Sequence, residues 1–356
     1  MKLCIPNYYK KFHCIADKCN HSCCSAGWEI DIDEETLNYY NSVSGKLGDK
    51  LKQNIVNNSD NTSKCFNLCE NNNCPFLNSN KLCEIYINLG EEHLCNICTE
   101  HPRFYEWFDN YKELGIGLCC EEAARIILSE SENFTTCEIE VPFEECDEYS
   151  TEIYNYLYFS RQKIINYLNN SSNINEAIRN VVWYCNVIGQ NIDSNLLDDE
   201  DIFSVNTYEK TDISEIIEFL LTLETNNKEW IPYLQKCIKV YNSSKDLLAK
   251  FETQHSELEK YLKNISIYFV WRYFLKGVFD EEIISKITLM AISVSVIKTL
   301  FFVNWIETNS LSLEDCVEIV RKYSEEIEYN EKNLNKLADA CYEQEIFNIE
   351  NIIGLF

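Results

Sequence analysis

Apolar residues recur at helical spacing through the second half of the chain. One run has the three- and four-residue steps of an amphipathic helix face: Ile213, Ile216, Ile217, Leu220 and Leu223. A second run with this spacing lies between Ile153 and Leu168. Asn-rich breaks separate the runs, at 169–173, 226–228 and 242–244. The pattern predicts a bundle of about eight helices in residues 150–356.

Two serines are predicted to begin helices by side-chain capping. Ser243 is followed by Asp246, and Ser312 is followed by Asp315. A hydroxyl before a helix and a carboxylate three residues later can each accept a hydrogen bond from the other residue's backbone N–H. Both serines are therefore predicted N-caps.

The most apolar helix is predicted to follow an acidic start. Asp280 and the two glutamates after it are expected to begin a helix that continues through Trp305. Its most apolar part lies between Lys286 and Lys298, which is too short to cross a bilayer. We therefore expect a buried helix and no membrane partner.

Residues 268–275 are apolar on every face except for one arginine. Such a helix is typical of a central core, and an aromatic ligand pocket is the alternative. Burying Arg272 requires a partner. That partner is predicted to be a carboxylate of the protein or of a ligand, which makes Arg272 a candidate cofactor-binding residue.

The first 146 residues differ in composition from the rest. They hold fifteen of the 19 cysteines, and six of the nine glycines precede residue 118. This composition predicts a loop-rich region that bound ligands help to fold. We expect a mainly α fold, in which a cysteine-rich metal-cluster region, 1–146, packs on an all-helical domain, 147–356.

The chain is strongly acidic, with a formal net charge of −27 at pH 7. Nucleic-acid binding depends on Lys and Arg neutralising phosphates, so no nucleic-acid partner is expected. A protonated lysine, a sulfonium or a metal ion would be favoured, although the charge could serve solubility alone. The first twelve residues contain three lysines and no apolar run, so no secretory signal is predicted and we expect a cytoplasmic protein.

The cysteines cluster in three segments: 14–24, 74–98 and 119–120. In a reducing cytoplasm they are expected to bind metal rather than form disulfides. Thiolates are soft ligands that suit Zn²⁺ or an iron–sulfur cluster. There is one CxxC pair, Cys95–Cys98, where a zinc ribbon would have two. Ala26 interrupts the three-cysteine motif of radical S-adenosylmethionine enzymes that Cys19 and Cys23 begin. The spacing therefore predicts a metal site, either iron–sulfur or zinc.

Other local motifs are weaker. Residues 115–117 form a lone GxG, which does not predict a dinucleotide site. His93 and His101 are near the thiols in sequence. They could be exposed loop residues, or they could serve as metal ligands or as hydrogen-bond donors to the ligands. Residues 28–33 alternate apolar and acidic positions, which predicts a short strand before a helix that starts at Glu34.

Taken together, these motifs make the chain resemble the flagellin lysine N-methylase family, often called FliB. The resemblance is carried by the pattern C-x4-C-x3-CC-x2-GW from Cys14 to Trp28, and by Cys74-Pro75-Phe76-Leu77, Leu82-Cys83, Leu89-Gly90 leading to Cys98, Pro102-Arg103, Cys120-Glu121 and Arg272-Tyr273-Phe274-Leu275. It covers most of the chain. The cluster that begins at Cys74 also resembles the YkgJ-like proteins, which are described as chelating zinc or iron.

The family resemblance implies an enzyme with a [4Fe–4S] cluster that moves a methyl group from S-adenosylmethionine to lysine side chains of flagellin. It implies metal binding by eight cysteines: Cys14, Cys19, Cys23, Cys24, Cys74, Cys83, Cys98 and Cys120. Because one cubane needs four thiols, either there are two metal centres or several of the eight are structural. Five cysteines fall outside the family pattern: Cys4, Cys65, Cys69, Cys95 and Cys119.

Two other functions remain open at this stage. The chain could be a non-enzymatic iron- or zinc-binding protein that delivers metal or transfers electrons. It could also be a structural zinc module on a helical interaction domain. Binding of S-adenosylmethionine would separate the enzyme from both. An open iron that anchors the amino and carboxylate groups of this donor would explain a methylase without a Rossmann glycine motif.

Overall fold

The computed structural model describes residues 1–58, 61–198, 201–202 and 204–356. Helices dominate these residues, and their strands all lie within the first 140. The cysteine-bearing segments between residues 12 and 30 and between 67 and 83 are loops and short turns. The predicted fold class is confirmed: the chain is mainly α, with a loop-rich cysteine region beside a helical bundle.

The cysteine-rich part contains short strands and helices. In chain order they are β1 Lys2–Pro6, β2 Asp31–Ile32, α1 Glu34–Ser42, α2 Gly45–Asn54, β3 Ile55–Asn57, β4 Lys64–Phe66, α3 Glu84–Leu89, α4 Asn96–Glu100, β5 Arg103–Phe108, β6 Tyr111–Ile116, α5 Glu121–Ser129 and β7 Thr136–Glu140. The carboxylate of Asp33 caps α1 by accepting from the backbone N–H of Thr36 at 3.0 Å, so this helix starts at Glu34 as predicted. The strand predicted over 28–33 is present only as the two residues of β2.

Two sheets organise this part of the chain. The larger has the order β5-β6-β1-β7, in which β1 is parallel to β6 and antiparallel to β7. The β5–β6 hairpin turns at Asp109-Asn110. The smaller sheet has the order β2-β4-β3. Since β1 lies in the interior of the larger sheet, Lys2 has both Tyr111 and Glu140 as neighbours.

The rest of the chain is helical. Its helices are α6 Thr151–Asn169, α7 Ile174–Asp193, α8 Ile213–Leu220, α9 Trp230–Ser244, α10 Leu248–Gln254, α11 Leu258–Tyr273, α12 Gly277–Asp280, α13 Ile283–Thr308, α14 Leu313–Ile327, α15 Glu331–Glu343 and α16 Ile349–Ile353. The described residues of this part of the chain thus contain eleven α-helices, where about eight were predicted, and the three shortest, α10, α12 and α16, have seven, four and five residues.

The long apolar helix α13 is the centre of the bundle. It has 26 residues, so by length and hydropathy it could cross a membrane. The prediction that the apolar stretch is too short was wrong, because Lys286 and Lys298 do not bound the helix but lie inside it. In its most apolar 18-residue window, 89% is buried inside the protein. The prediction of a buried helix is confirmed.

Helix starts were predicted with mixed success. Ser312 forms the predicted capping box with Asp315 at the start of α14. The predicted cap at Ser243 was wrong, because α9 continues to Ser244 and the Ser243 hydroxyl donates to Val240 O at 2.9 Å. The apolar helix begins at Ile283 rather than directly after residue 280.

Two hydrophobic cores are present. A small core lies within residues 30–95 and consists of Ile30, Ile32, Tyr40, Leu51, Phe66, Cys74, Phe76, Ile85 and Cys95. A large core combines the bundle with side chains from β1, β5, β6 and α5. In the large core Glu113 of β6 and Arg161 of α6 form a buried, bidentate ion pair. The Arg161 guanidinium carbon lies 4.6 Å from the centroid of the Trp271 ring. The predicted domain boundary at residue 146 stays a prediction.

Candidate functional site

Helix starts position several of the cysteines. Cys83, Cys95 and Cys120 are the N-cap residues of α3, α4 and α5. Cys23 and Cys24 lie together in a short 3-10 turn. A thiol at a helix start faces backbone N–H groups that have no partner in the helix, and these groups favour the thiolate that binds metal.

Four of the predicted ligands lie together where the first loop meets α5: Cys14, Cys19, Cys23 and Cys120. The pKa of Cys23 is raised by its hydrogen bond with Cys24 and by burial, and also by the nearby thiols of Cys14 and Cys120. Burial raises the pKa of Cys19 to about 12, and the neighbouring Cys120 contributes in the same direction. We call these four residues the first thiol group.

Glu121 fixes the geometry of the first thiol group. Its buried carboxylate accepts from the backbone N–H of Asn20 at 2.8 Å and of His21 at 3.3 Å, and from the Cys19 thiol at 3.6 Å. It is also paired with Arg125 at 2.9 Å. Because Glu121 directly follows Cys120, these bonds hold the loop that carries Cys19 against the N-terminus of α5.

A second set of five thiols lies at the small core. Cys74 and Cys95 are members of this core, Cys24 and Cys83 pack against it, and Cys98 is a neighbour of Cys95. The backbone N–H of Cys74 donates to Cys24 O at 2.7 Å, and that of Cys98 donates to Cys95 O at 2.9 Å. Burial raises the pKa of Cys74 to about 12, and the thiols of Cys24, Cys83 and Cys95 act on it in the same direction. We call these five residues the second thiol group.

Cys95 is a residue that the family pattern missed. It is 1% exposed, and its Sγ lies 3.7 Å from the Tyr40 hydroxyl. The pKa of the Cys95 thiol is lowered, chiefly by a hydrogen bond from Cys98. The sequence signal was the CxxC spacing itself, which places both thiols on one turn of α4.

Adjacent residues Cys23 and Cys24 connect the two groups. The pKa of Cys24 is lowered, first because the Cys23 thiol hydrogen-bonds to it and then because the Ser22 hydroxyl does. These hydrogen bonds favour the thiolate of Cys24, which is the form that ligates metal.

The donor chemistry of both groups fits a bound metal. Within the described residues, no three or more His, Cys, Asp or Glu side chains are arranged to hold an ion as they stand. The thiols are neighbours and pair with one another through hydrogen bonds, as in Cys23–Cys24 and Cys95–Cys98. Metal binding would replace these hydrogen bonds by metal–sulfur bonds and release the protons. The eight-cysteine ligand set stays a prediction.

Aromatic side chains join the cysteine region to the bundle. The Trp28 ring stacks on Tyr329 at 5.9 Å between centroids and contacts the edge of His101 at 4.7 Å. All three rings are half-buried, so the exposed loop position, which was one of the two alternatives for His101, was wrong. Burial lowers the pKa of His101 to about 4, which keeps it neutral at pH 7. We call Trp28, His101 and Tyr329 the aromatic seam.

Behind the seam lies the partner that Arg272 requires. The guanidinium is 3.3 Å from the Glu328 carboxylate, and the rings of Phe104 and Tyr329 lie 4.6 and 4.8 Å from it. Glu328 Oε1 also accepts from the hydroxyls of Tyr268 at 2.9 Å and Tyr273 at 3.0 Å. The partner is thus a protein carboxylate. Whether Arg272 also binds a cofactor stays a prediction.

The GxG at residues 115–117 has a structural explanation. A Cβ atom on Gly117 would lie 1.9 Å from the Tyr329 hydroxyl, and one on Gly115 would lie 2.1 Å from the Phe104 ring. Both glycines are therefore required by the close approach of aromatic side chains to β6 and the residue after it. Gly117 leaves the space in which Tyr329 reaches the Cys119 thiol, to which it is hydrogen-bonded.

A family model for the FliB lysine N-methylase C-terminal domain matches residues 153–355. This match covers more than half of the chain. The chain belongs to the FliB lysine N-methylase family. The matched range contains the bundle with Arg272, Glu328 and Tyr329, and the cysteine motifs that resemble the same family lie before it.

The curated relatives of this chain agree with its assignment to the FliB family. It is 27% identical over 129 residues to a flagellar biosynthetic protein FliU of Salmonella muenchen, over 35% of this chain and 76% of that protein. It is 26% identical over 129 residues to lysine-N-methylases of Salmonella typhimurium and Salmonella choleraesuis, over 35% of this chain and 32% of each relative. The match thus spans about a third of the two lysine-N-methylases. No solved structure matches this chain.

Proposed function

We propose that this protein is a protein-lysine N-methyltransferase that moves methyl groups from S-adenosylmethionine to lysine side chains of flagellin. Family membership is the observation that carries the proposal, together with the names of the relatives. The structure adds a setting for the chemistry, because the thiol groups adjoin the bundle through the aromatic seam.

The reaction constrains the site. A carbon–nitrogen bond forms between the donor methyl and the lysine amine, while the sulfonium carbon–sulfur bond breaks and S-adenosylhomocysteine leaves. The amine must first lose its proton, because its ordinary pKa is about 10.4. A site for this step therefore needs an acidic group that attracts the ammonium form and a dry environment that favours the neutral amine.

We place the target lysine at the aromatic seam. Trp28 and Tyr329 offer half-buried rings against which the lysine methylenes and the ammonium can pack. Behind them Glu328 is buried, and among the described residues no group hydrogen-bonds to its Oε2. A buried carboxylate oxygen with spare capacity is a suitable acceptor for a lysine N–H. Arg272 and the tyrosine hydroxyls would hold that carboxylate in position from the other side.

The thiol groups would hold the cofactor. A [4Fe–4S] cluster is the group that the family resemblance implies, and the all-sulfur donor set fits either this cluster or zinc. An iron–sulfur cluster with an open iron would supply a binding point for the amino and carboxylate groups of S-adenosylmethionine. Glu121 would keep the first loop on α5 while the cofactor is bound.

The test is mass spectrometry of the host's flagellin, co-expressed with and without this protein. The expected result is a mass increase of about 14 Da per methyl group, or a multiple of it, on lysine-containing peptides of the co-expressed sample only. Flagellin co-expressed with the Trp28→Ala variant should carry fewer methyl groups. The control variant is Trp183→Ala, in which a tryptophan of α7 outside the aromatic seam is replaced, and flagellin co-expressed with it should be methylated as with the wild type. Unmodified flagellin beside metal-loaded protein would contradict the proposal.

A metal-binding protein without catalytic activity is the second candidate. It is favoured by the exposure of Cys14 and Cys98, since a protein that delivers metal needs accessible thiols. Calorimetric titration with S-adenosylmethionine separates the two functions. Binding by the metal-loaded protein supports the methyltransferase, and its absence supports metal delivery.

A further inference from the structure

The larger sheet has an edge strand that begins at the aromatic seam. β5 is the first strand in the order β5-β6-β1-β7, so β6 is its neighbour on one side and its other side is an edge of the sheet. Pro102 alone separates His101 of the seam from the first residue of β5. The Phe104 ring on this strand lies 4.6 Å from the guanidinium of Arg272, which is paired with Glu328. The edge of β5 therefore leads directly to the proposed lysine site.

Two hydrogen bonds show which way the backbone groups of β5 point. The N–H of Gly117, the first residue after β6, donates to Pro102 O at 2.8 Å, so Pro102 faces β6. The N–H of Lys2 donates to Asn110 O at 2.7 Å, which turns Asn110 and every second residue after it toward β1. Because successive residues of a strand direct their N–H and C=O groups to opposite sides, and the β5–β6 pairing is unbroken, the same assignment follows along the strand. The residues whose backbone groups face away from β6 are Arg103, Tyr105 and Trp107.

This edge is open to a further strand. Among the described residues no hydrogen bond to the outward backbone groups of β5 is present. Proteins ordinarily blunt an edge strand with charges, prolines or bulges. The opposite edge strand, β7, is protected by the exposed side chains of Glu138 and Glu140. β5 has no bulge, and two of its three outward-facing residues are aromatic.

The side chains of β5 are held in place by contacts within the protein. The Tyr105 hydroxyl donates to Glu100 at 2.7 Å, and the Trp107 indole N–H donates to Glu144 at 2.6 Å. The Lys112 ammonium lies 4.5 and 4.8 Å from the centroids of these two rings. A strand that is fixed in this way does not have to become ordered when a partner binds, which lowers the entropic cost of binding.

We propose that β5 binds an extended segment of the lysine-bearing protein substrate as an added strand of the larger sheet. Main-chain hydrogen bonds supply the affinity, and the seam at the start of β5 receives the lysine side chain. The inference rests on the proposed function, because it takes the substrate of that function as the occupant. The formal net charge of −27 favours a segment that contains lysine and disfavours a second copy of this chain.

The experiment measures amide hydrogen exchange at single residues of this protein with and without the host's flagellin. The N–H groups of Arg103, Tyr105 and Trp107 should exchange at least about tenfold more slowly when flagellin is present. Those of Phe104 and Glu106 already bond to β6, so their exchange should change little. This alternation is the signature of an added strand, because a contact with side chains alone would not select every second N–H group.

The possible outcomes separate the inference from the proposed function. Methylation of flagellin without slower exchange at the three outward N–H groups would overturn the inference and leave the proposed function standing. Slower exchange without methylation would support the inference and refute the proposed function, and the absence of both effects would refute both. Slow exchange before flagellin is added, in protein that is dimeric by native mass spectrometry, would assign the edge to a second copy and overturn the inference.

A pair of variants isolates the N–H group of Tyr105. Tyr105→Pro removes this N–H, and an edge strand tolerates proline where the N–H faces outward. Tyr105→Ala removes the same ring and keeps the N–H. Loss of one hydrogen bond to the substrate should make the KM for flagellin about fivefold higher in Tyr105→Pro than in Tyr105→Ala, with kcat alike in both. Equal KM values in the two variants would contradict the added strand.

Discussion

Glu328 is expected to be a stability determinant of the bundle as well as part of the candidate site. Its side chain is fully buried, and it is the carboxylate partner of Arg272, whose side chain is 12% exposed. Removing one partner of a buried ion pair leaves an uncompensated charge and costs about 3–5 kcal/mol. The isosteric change Glu328→Gln should therefore lower the free energy of unfolding by about 3 kcal/mol, measured by urea denaturation.

The exposed pair between Lys332 and Glu224 offers a matched control. The atoms are 3.1 Å apart, but the two side chains are 77% and 57% exposed. Exposed pairs contribute about 0.2–1 kcal/mol, so Glu224→Gln should change the stability by less than about 1 kcal/mol. Equal effects of the two substitutions would show that burial of the Arg272 pair carries no extra stabilisation.

The sequence predicted part of this residue-scale chemistry. An arginine within an apolar segment needs a partner wherever it is, so the need at Arg272 could be predicted locally. The identity of Glu328 could not, because the two residues are 56 positions apart and meet only when α11 and the end of α14 pack together. For the same reason the family resemblance implied eight thiols but not which of them lie together in the fold.

Among the secondary-structure elements, α5 is expected to control access to the first thiol group. Glu121 binds the loop around Cys19, whereas the Glu122 carboxylate on the same turn pairs with Arg125 at 2.6 Å and is 20% exposed. Hydrogen bonds to a charged group contribute about 1.5–3 kcal/mol. In metal-free protein Glu121→Gln should therefore speed alkylation of Cys19 about tenfold, measured by peptide mass spectrometry.

Glu122→Gln is the control for that change, since it alters the same helix turn and the same arginine without touching the loop. Its Cys19 should react at the wild-type rate. If both variants react alike, the loop is held by something other than the Glu121 carboxylate.

Helix boundaries illustrate which elements the sequence could predict. The start of α14 is determined by a reciprocal bond between two residues three positions apart, so local sequence was sufficient. The break predicted near Ser243 failed because tertiary contacts override local preference. Tyr241 is buried there, and the Asn242 side chain accepts from Ser214 at 3.1 Å instead of breaking the helix.

The β5–β6 hairpin was missed although the chain contains a signal for it. Asp109-Asn110 is a two-residue turn between segments rich in aromatic residues, and Asp and Asn are common in such turns. The parallel pairing of β1 with β6 had no local signal, because its partners are more than a hundred residues apart in the chain.

For the whole molecule, the presence of two cores predicts an unequal response to metal removal. The small core has nine buried hydrophobic residues, and four of the five thiols of the second thiol group belong to it or pack against it. Metal bound by thiols contributes folding free energy to such regions. A chelator should therefore increase amide hydrogen exchange in residues 30–95 by at least tenfold while α11 and α13 stay protected, as measured by mass spectrometry.

Two observations would check the specificity of that response. Cys237→Ser protein should behave like the wild type, since this thiol lies in the large core. Uniform loss of protection in both cores would mean that the chain unfolds as one cooperative unit, and unchanged exchange in 30–95 would mean that metal does not support the small core.

The position of β1 has a consequence for how the protein is made. Its residues pair with Tyr111–Glu113 on one side and Thr136–Glu140 on the other, so the larger sheet is incomplete until the ribosome has released residue 140. At about 5–20 residues per second, the synthesis of residues 1–140 takes on the order of ten seconds. All nine thiols of both groups leave the ribosome before β7, so any metal that these thiols bind could reach them while this sheet is still open.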